Sequence, residues 1–366
     1  MTETLDPEIS ELSRRIYEEV KPASNEHQLD LTRYIVEERV RQTYPQEWWA
    51  YNQAQTKEKK LFQMILLELC RLVIPNRRKI HRGRPALSKA DKAFCVGLYS
   101  FCGLSSRRVI SDLETAQKFG WITKVPHFNT VLNYLDNKEL TSHLASMIEI
   151  SSLPLRAIEK TFAVDSTGFS TPRFDRWLDI RTQKHTKKRL WKKAHLMTGT
   201  DTNVITSMII TDGVDGDSPH LIPLMERTRT YFDMKEVLAD KAYSSRANLQ
   251  AISDNGAIPF IPFKEGTTGK ARGCPIWHKM YDFFTKNRKE FDEHYHKRSN
   301  VESTNSMIKR KFGNNLRTKR HTAQTNEILV KCLCHNICVL IQESFERGID
   351  LDLNKCAEHY FCTKKG

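Results

Sequence analysis

The chain has 366 residues, 39% of them hydrophobic, which exceeds one ordinary domain and is too apolar for a disordered chain. Lys and Arg number 58 against 44 Asp and Glu, a formal charge of +14, and residues 1–70 oppose the trend with nine basic and thirteen acidic side chains. A peptide-sized module is excluded, and a basic body behind an acidic head fits a polyanion partner.

No run approaches the roughly 20 apolar residues that span a bilayer. The start, MTETLDPEIS, lacks the basic and apolar regions of a signal peptide, so the expected compartment is the cytoplasm and no membrane is expected as a partner. Nine cysteines, an odd and scattered set, point to reduced thiols. Cys332, Cys334 and Cys338 with His335, then Cys356, His359 and Cys362, lack the Cys-x2-Cys spacing of structural zinc sites. They lie in or near ILVKCLCHNICVLIQ, which reads as a buried helix with Cys as a small hydrophobe.

In chain order, residues 1–75 read as a helical head, built from ELSRRIYEEV, RYIVEERVRQTY and KKLFQMILLELCRLV and stopped at Pro75. Trp48 and Trp49, between two of these stretches, are expected as a packed helix junction or else a contact surface. Residues 76–150 begin as a basic linker with Arg77, Arg78, Lys79, Arg82 and Arg84 and no carboxylate. Its Arg82-Gly83-Arg84-Pro85 core resembles a minor-groove hook, with a merely solvated linker as the alternative. Three short helices follow, SKADKAFCVGLYSFCG, LSSRRVISDLETAQKFG and HFNTVLNYLDN. The Cys102-Gly103-Leu104 turn has helix-turn-helix length, and Asn129, Thr130, Asn133 and Tyr134 suit a recognition helix; a helical spacer is the alternative.

Residues 155–345 read as mixed α/β, with residues 346–366 as a tail. TFAVDSTGF is a strand ending in a carboxylate, AHLMTGTDTNVITSMIITDG a hairpin, and EVLADKAYSS a second strand ending in a carboxylate. A helix at RANLQAISDNG and a strand at AIPFIPF complete a mixed sheet flanked by helices. Asp165 and Asp240 therefore both stand at strand ends, where open α/β sheets form sites, and two in a basic domain point to a shared cation. In DEHYHKRSNVESTNSMIKRKFG, Tyr295, Arg298, Glu302 and Lys309 fall within an arc of about 60° on a helix of 100° per residue. One carboxylate framed by an aromatic ring and two cations suits a metal ligand beside phosphate-binding groups. RTQKHTKKRLWKKAH, with Lys187, Lys188, Arg189, Trp191 and Lys192, reads as a DNA track or as a lysine-protected hairpin edge. His195, His220 and His278 have no carboxylate or second His at ligand spacing.

Tyr295-x2-Arg298-x3-Glu302-x6-Lys309, with AVDSTGFS and LADKAYSS, resembles the tyrosine-arginine-glutamate-lysine signature and aspartate motifs of DDE transposases from prokaryotic insertion sequences. The resemblance covers residues 160–345, about half the chain. It implies a ribonuclease-H-like catalytic domain behind the all-α, helix-turn-helix N-terminal region, and a magnesium-dependent endonuclease and strand transferase acting on double-stranded DNA, both transposon ends and target. Asp165, Asp240 and Glu302 would be catalytic and hold two divalent cations, Mg2+ or in its place Mn2+. Tyr295, Arg298 and Lys309 would contact DNA, and a homodimer on DNA is expected. Asp240 and Glu302 are 62 residues apart, leaving no room for the large β-rich insertion of some members. A catalytically silent DNA-binding regulator and a nuclease without strand transfer are the competing readings.

Overall fold

A computed structural model describes residues 47–75, 87–171 and 191–364. The chain divides into two compact units, residues 1–51 and 52–366. The described part of the first is the opening of helix α1 (Trp48–Val73). Trp48 and Trp49, at the start of the helix, are 67% and 73% exposed. Most of the expected head, Arg82, Arg84, Lys187, Lys188 and Arg189 lie outside the described residues.

In the second unit, α1 runs on to Val73, before Pro75. Helix α2 (Lys89–Cys102) starts where the Ser88 hydroxyl accepts the Asp91 N–H and ends at Gly103, whose φ of +64° suits a residue without Cβ. Helices α3 (Ile110–Lys118), α4 (Phe128–Leu135) and α5 (Lys138–Ser152) follow. On α4, Asn129 and Asn133 are exposed, but Tyr134 is buried with Val131 and Leu135; the apolar stripe that packs the helix claims it.

The sheet has the order β3-β2-β1-β4-β5. Strands β1 (Thr161–Ser170), β2 (Trp191–Gly199) and β3 (Ile205–Asp212) are antiparallel, whereas β4 (Glu236–Ala239) and β5 (Ile258–Phe260) continue the sheet in parallel. The strand expected to end at Asp165 runs five residues further, to Ser170. Its two neighbours explain the difference: β2 pairs with it from Phe162↔Gly199 to Ser170↔Trp191, while β4 lets go after Val164↔Ala239.

Helices α6 (Leu221–Arg229), α7 (Arg246–Asp254), α8 (Pro275–Lys286), α9 (Arg288–Tyr295) and α10 (Ser299–Phe312) intervene before the long α11 (His321–Glu346) and the last helix α12 (Leu353–Thr363). Helix α8 was not legible beforehand. Between β5 and α9 the described residues form a loop and α8, and no strand.

Helix α11 corrects the reading that no stretch could span a bilayer: by length and composition it could, but 78% of that stretch is buried inside the protein. A helix apolar on all sides is a core helix when other elements surround it. α5, α2, β2 and β3 do so. Its polar groups are spent on neighbours: Asn336 Oδ1 accepts Ile205 N–H at 2.9 Å and its Nδ2 donates to Ile205 O at 2.8 Å, stitching the helix to β3. Helix α5 lies against both α11 and β3.

Candidate active site

The parallel ladder between β1 and β4 ends at Val164↔Ala239, and the next residue on each strand is an aspartate, Asp165 and Asp240. Both are half-buried. Asp240 also starts the short turn Lys241–Tyr243, its Oδ1 accepting the Lys241 N–H at 2.6 Å.

Helix α10 crosses β1 and brings Glu302, Asn305 and Lys309 to this edge. The signature is not one continuous helix. A 3₁₀ turn, His296–Arg298, separates α9 from α10, so Tyr295 stays behind, half-buried and stacked on Phe291 at 6.0 Å. The guanidinium of Arg298 lies 5.7 Å from the Tyr295 ring and donates to Glu302 Oε1 at 2.5 Å. Lys309 Nζ sits 5.8 Å from the Phe169 ring, whose centroid is also 5.7 Å from Lys331 Nζ.

Asp165, Glu302, Asn305, Lys309, Arg310 and Asn314 line a cleft of 580 Å³. Burial pushes the Asp165 carboxyl above its ordinary range; Glu302 and Asp240 push the same way, against its own Ser166 N–H and Arg298. Burial lowers the Lys309 ammonium, and Asp165 opposes that shift. The edge thus gathers three carboxylates, of which Glu302 is paired with Arg298 and Asp165 is hydrogen-bonded by Asn305. Asn305 Nδ2 donates to Asp165 Oδ2 at 3.1 Å, while Asn305 Oδ1 is buried without a hydrogen-bond partner, an arrangement that ordinarily costs about 1–3 kcal/mol.

Three carboxylates on three elements are the hard-oxygen donor set that suits magnesium. Their mutual repulsion at Asp165 is the kind a cation relieves, so in donor chemistry, though not in their present spacing, the residues suit the metal that the resemblance implies. Among the described residues no three acidic, His or Cys side chains stand close enough to hold one ion as they are, and Glu302 is engaged by Arg298.

Other expected site residues fall elsewhere. Lys192 is 5% exposed and its Nζ pairs with Asp212 Oδ1 at 2.5 Å, so it is not the solvent-facing cation expected; alternation along β2 turns it inward. Trp191 is 41% exposed and lies over Gly168, where a Cβ would stand 3.2 Å from its ring. His195 does meet a second His and a carboxylate, contrary to the spacing argument: its ring lies 4.1 Å from His220 and its Nδ1 is 3.4 Å from Asp217 Oδ1. The fold joins β2 to the turn Ser218–His220, which linear spacing does not reveal. Asn305 was missed, although it stands three residues after Glu302 and four before Lys309, on the same helical stripe.

No curated protein matches the chain. Residues 156–337, which carry the whole sheet, both aspartates and the helix with Glu302, match the family model of the transposase DDE domain, and that match supports a DDE transposase.

Proposed function

We propose that this protein is a DNA transposase of the insertion-sequence type that cuts double-stranded DNA at transposon ends and joins the 3′ ends to target DNA. What supports the reading is the meeting of Asp165, Asp240 and Glu302 at one sheet edge, from positions 75 and 62 residues apart, beside Arg298 and Lys309. Asp165, Asp240 and Glu302 would hold two Mg2+ ions, with Mn2+ as a substitute. When bound, such ions activate the attacking oxygen and stabilise the leaving one. Arg298, held over Tyr295, and Lys309 orient phosphates flanking the scissile bond, with Tyr295 and Trp191 as further DNA contacts. Helices α2 to α4, with Arg82, Arg84, Lys187, Lys188 and Arg189, supply the wider DNA surface, and the protein acts as a homodimer in the cytoplasm, on the nucleoid.

The test is incubation with an end duplex, a target plasmid and Mg2+, scored for cut and joined products. The parent should yield both, and Glu302→Ala neither, while keeping end binding. A parent that binds ends tightly and yields neither product under any divalent metal is a regulator. Cut products without joined ones identify a nuclease.

A further inference from the structure

The two ends of the Asn305 amide have different fates. Its NH2 donates to Asp165 Oδ2 at 3.1 Å, the direction an ionised carboxylate requires. The other end, Oδ1, is left as an acceptor. Asn305 is 7% exposed, lines the cleft, and its Oδ1 has no partner in the protein. Asn336 by contrast uses both Oδ1 and Nδ2 on β3, while Gln250, whose Nε2 donates to Asp254 Oδ1, also leaves a buried Oε1 without a partner.

We propose that Asn305 is a positioning residue of the cleft: its NH2 holds the Asp165 carboxylate in one rotamer. The hold rests on geometry alone, and its consequence for cutting rests on the transposase reading. Helix α10 makes the placement rigid, because Asn305 lies one turn from Glu302 and one turn from Lys309, so a single element sets the carboxylate, the amide and the cation together. An amide suits this duty better than a carboxylate, which donates nothing when ionised and would add a further negative charge beside Asp165, Asp240 and Glu302.

The experiment uses the full chain. Mn2+ binding is measured by titration without DNA on the parent, Asn305→Ala and Asn305→Leu, the last keeping nearly the original volume; cutting of an end duplex in Mg2+ is followed in single turnover, and metal-free melting is recorded. Groups that orient a metal ligand typically contribute 10–100-fold to metal affinity or activity. Both variants should therefore weaken Mn2+ binding by about tenfold, slow cutting at saturating metal, and melt without metal no lower than the parent, since an unpartnered buried acceptor is removed. Mn2+ affinity and cutting within about twofold of the parent, well under that range, in a parent that cuts, overturn the proposal and leave the transposase reading intact. A lowered metal-free melting temperature with unchanged Mn2+ affinity makes Asn305 a packing residue and also overturns it. If the parent binds Mn2+ but cuts nothing, the transposase reading falls and the Mn2+ affinities alone decide for or against the hold on Asp165. A parent that takes up no Mn2+ overturns both.

Discussion

Glu159 and Asp165 are six residues apart at β1, and the fold treats their carboxylates in opposite ways. Glu159 is fully buried, yet its Oε1 accepts Thr202 N–H at 2.7 Å and Thr202 Oγ1–H at 2.6 Å, and its Oε2 accepts Asp201 N–H at 3.2 Å. Gly199 leaves the space: a Cβ there would lie 2.1 Å from the Glu159 carboxyl carbon. The group closes the β2–β3 turn, where it accepts three hydrogen bonds. Asp165 is half-buried, receives one side-chain donor, and faces two further carboxylates. A satisfied buried carboxylate is a structural part, whereas an under-satisfied cluster of like charges is a place prepared for a cation.

The sharpest way to break the comparison is to remove each carboxylate in turn. Glu159→Ala should destabilise by about 3 kcal/mol, because buried donors lose their acceptor. Asp165→Ala should abolish cutting while melting without metal at or above the parent. Thermal denaturation paired with the cutting assay checks both, and equal loss of stability in the two variants would erase the distinction.

A smaller effect tests the surroundings of Glu159. Burial raises the Glu343 carboxyl to about 7, and Glu346, Glu159 and Asp201 add to the rise against Arg347. A carboxyl raised in the fold favours folding below its unfolded value, near 4.3, and that contribution is lost as pH climbs through about 7. The unfolding free energy from denaturant titration should therefore fall between about pH 4.5 and pH 7.5 in the parent, by an amount on the order of 2 kcal/mol, and fall less in Glu343→Gln. Parallel curves would remove Glu343 as the cause.

The smallest effect carries the comparison over to lysines. Lys192 is compensated by Asp212, whereas Lys309 lines the cleft beside the Phe169 ring and Asp165. Lys309→Ala should lower the slope of log affinity for DNA against log salt by about 0.9, one phosphate's worth, and Lys192→Ala should leave it unchanged. Binding isotherms over a salt series decide between them.

The hairpin, the strands before Asp165 and Asp240, and the long apolar helix were legible as patterns, because period-2 and period-3.6 burial is written residue by residue. Residue type and spacing also marked the two aspartates and the stripe from Arg298 to Lys309, since chemistry at a helix turn is local. What only the tertiary structure decided depends on partners distant in the chain. Strand β1 outran Asp165 because β2 continued beside it; Lys192 turned inward to Asp212; His195 met His220 and Asp217 across a turn; and α11 became a core helix because other elements cover it. Asn305 belongs to the same class: its residue type permits many duties, and the contact with Asp165, 140 positions earlier in the chain, selects one.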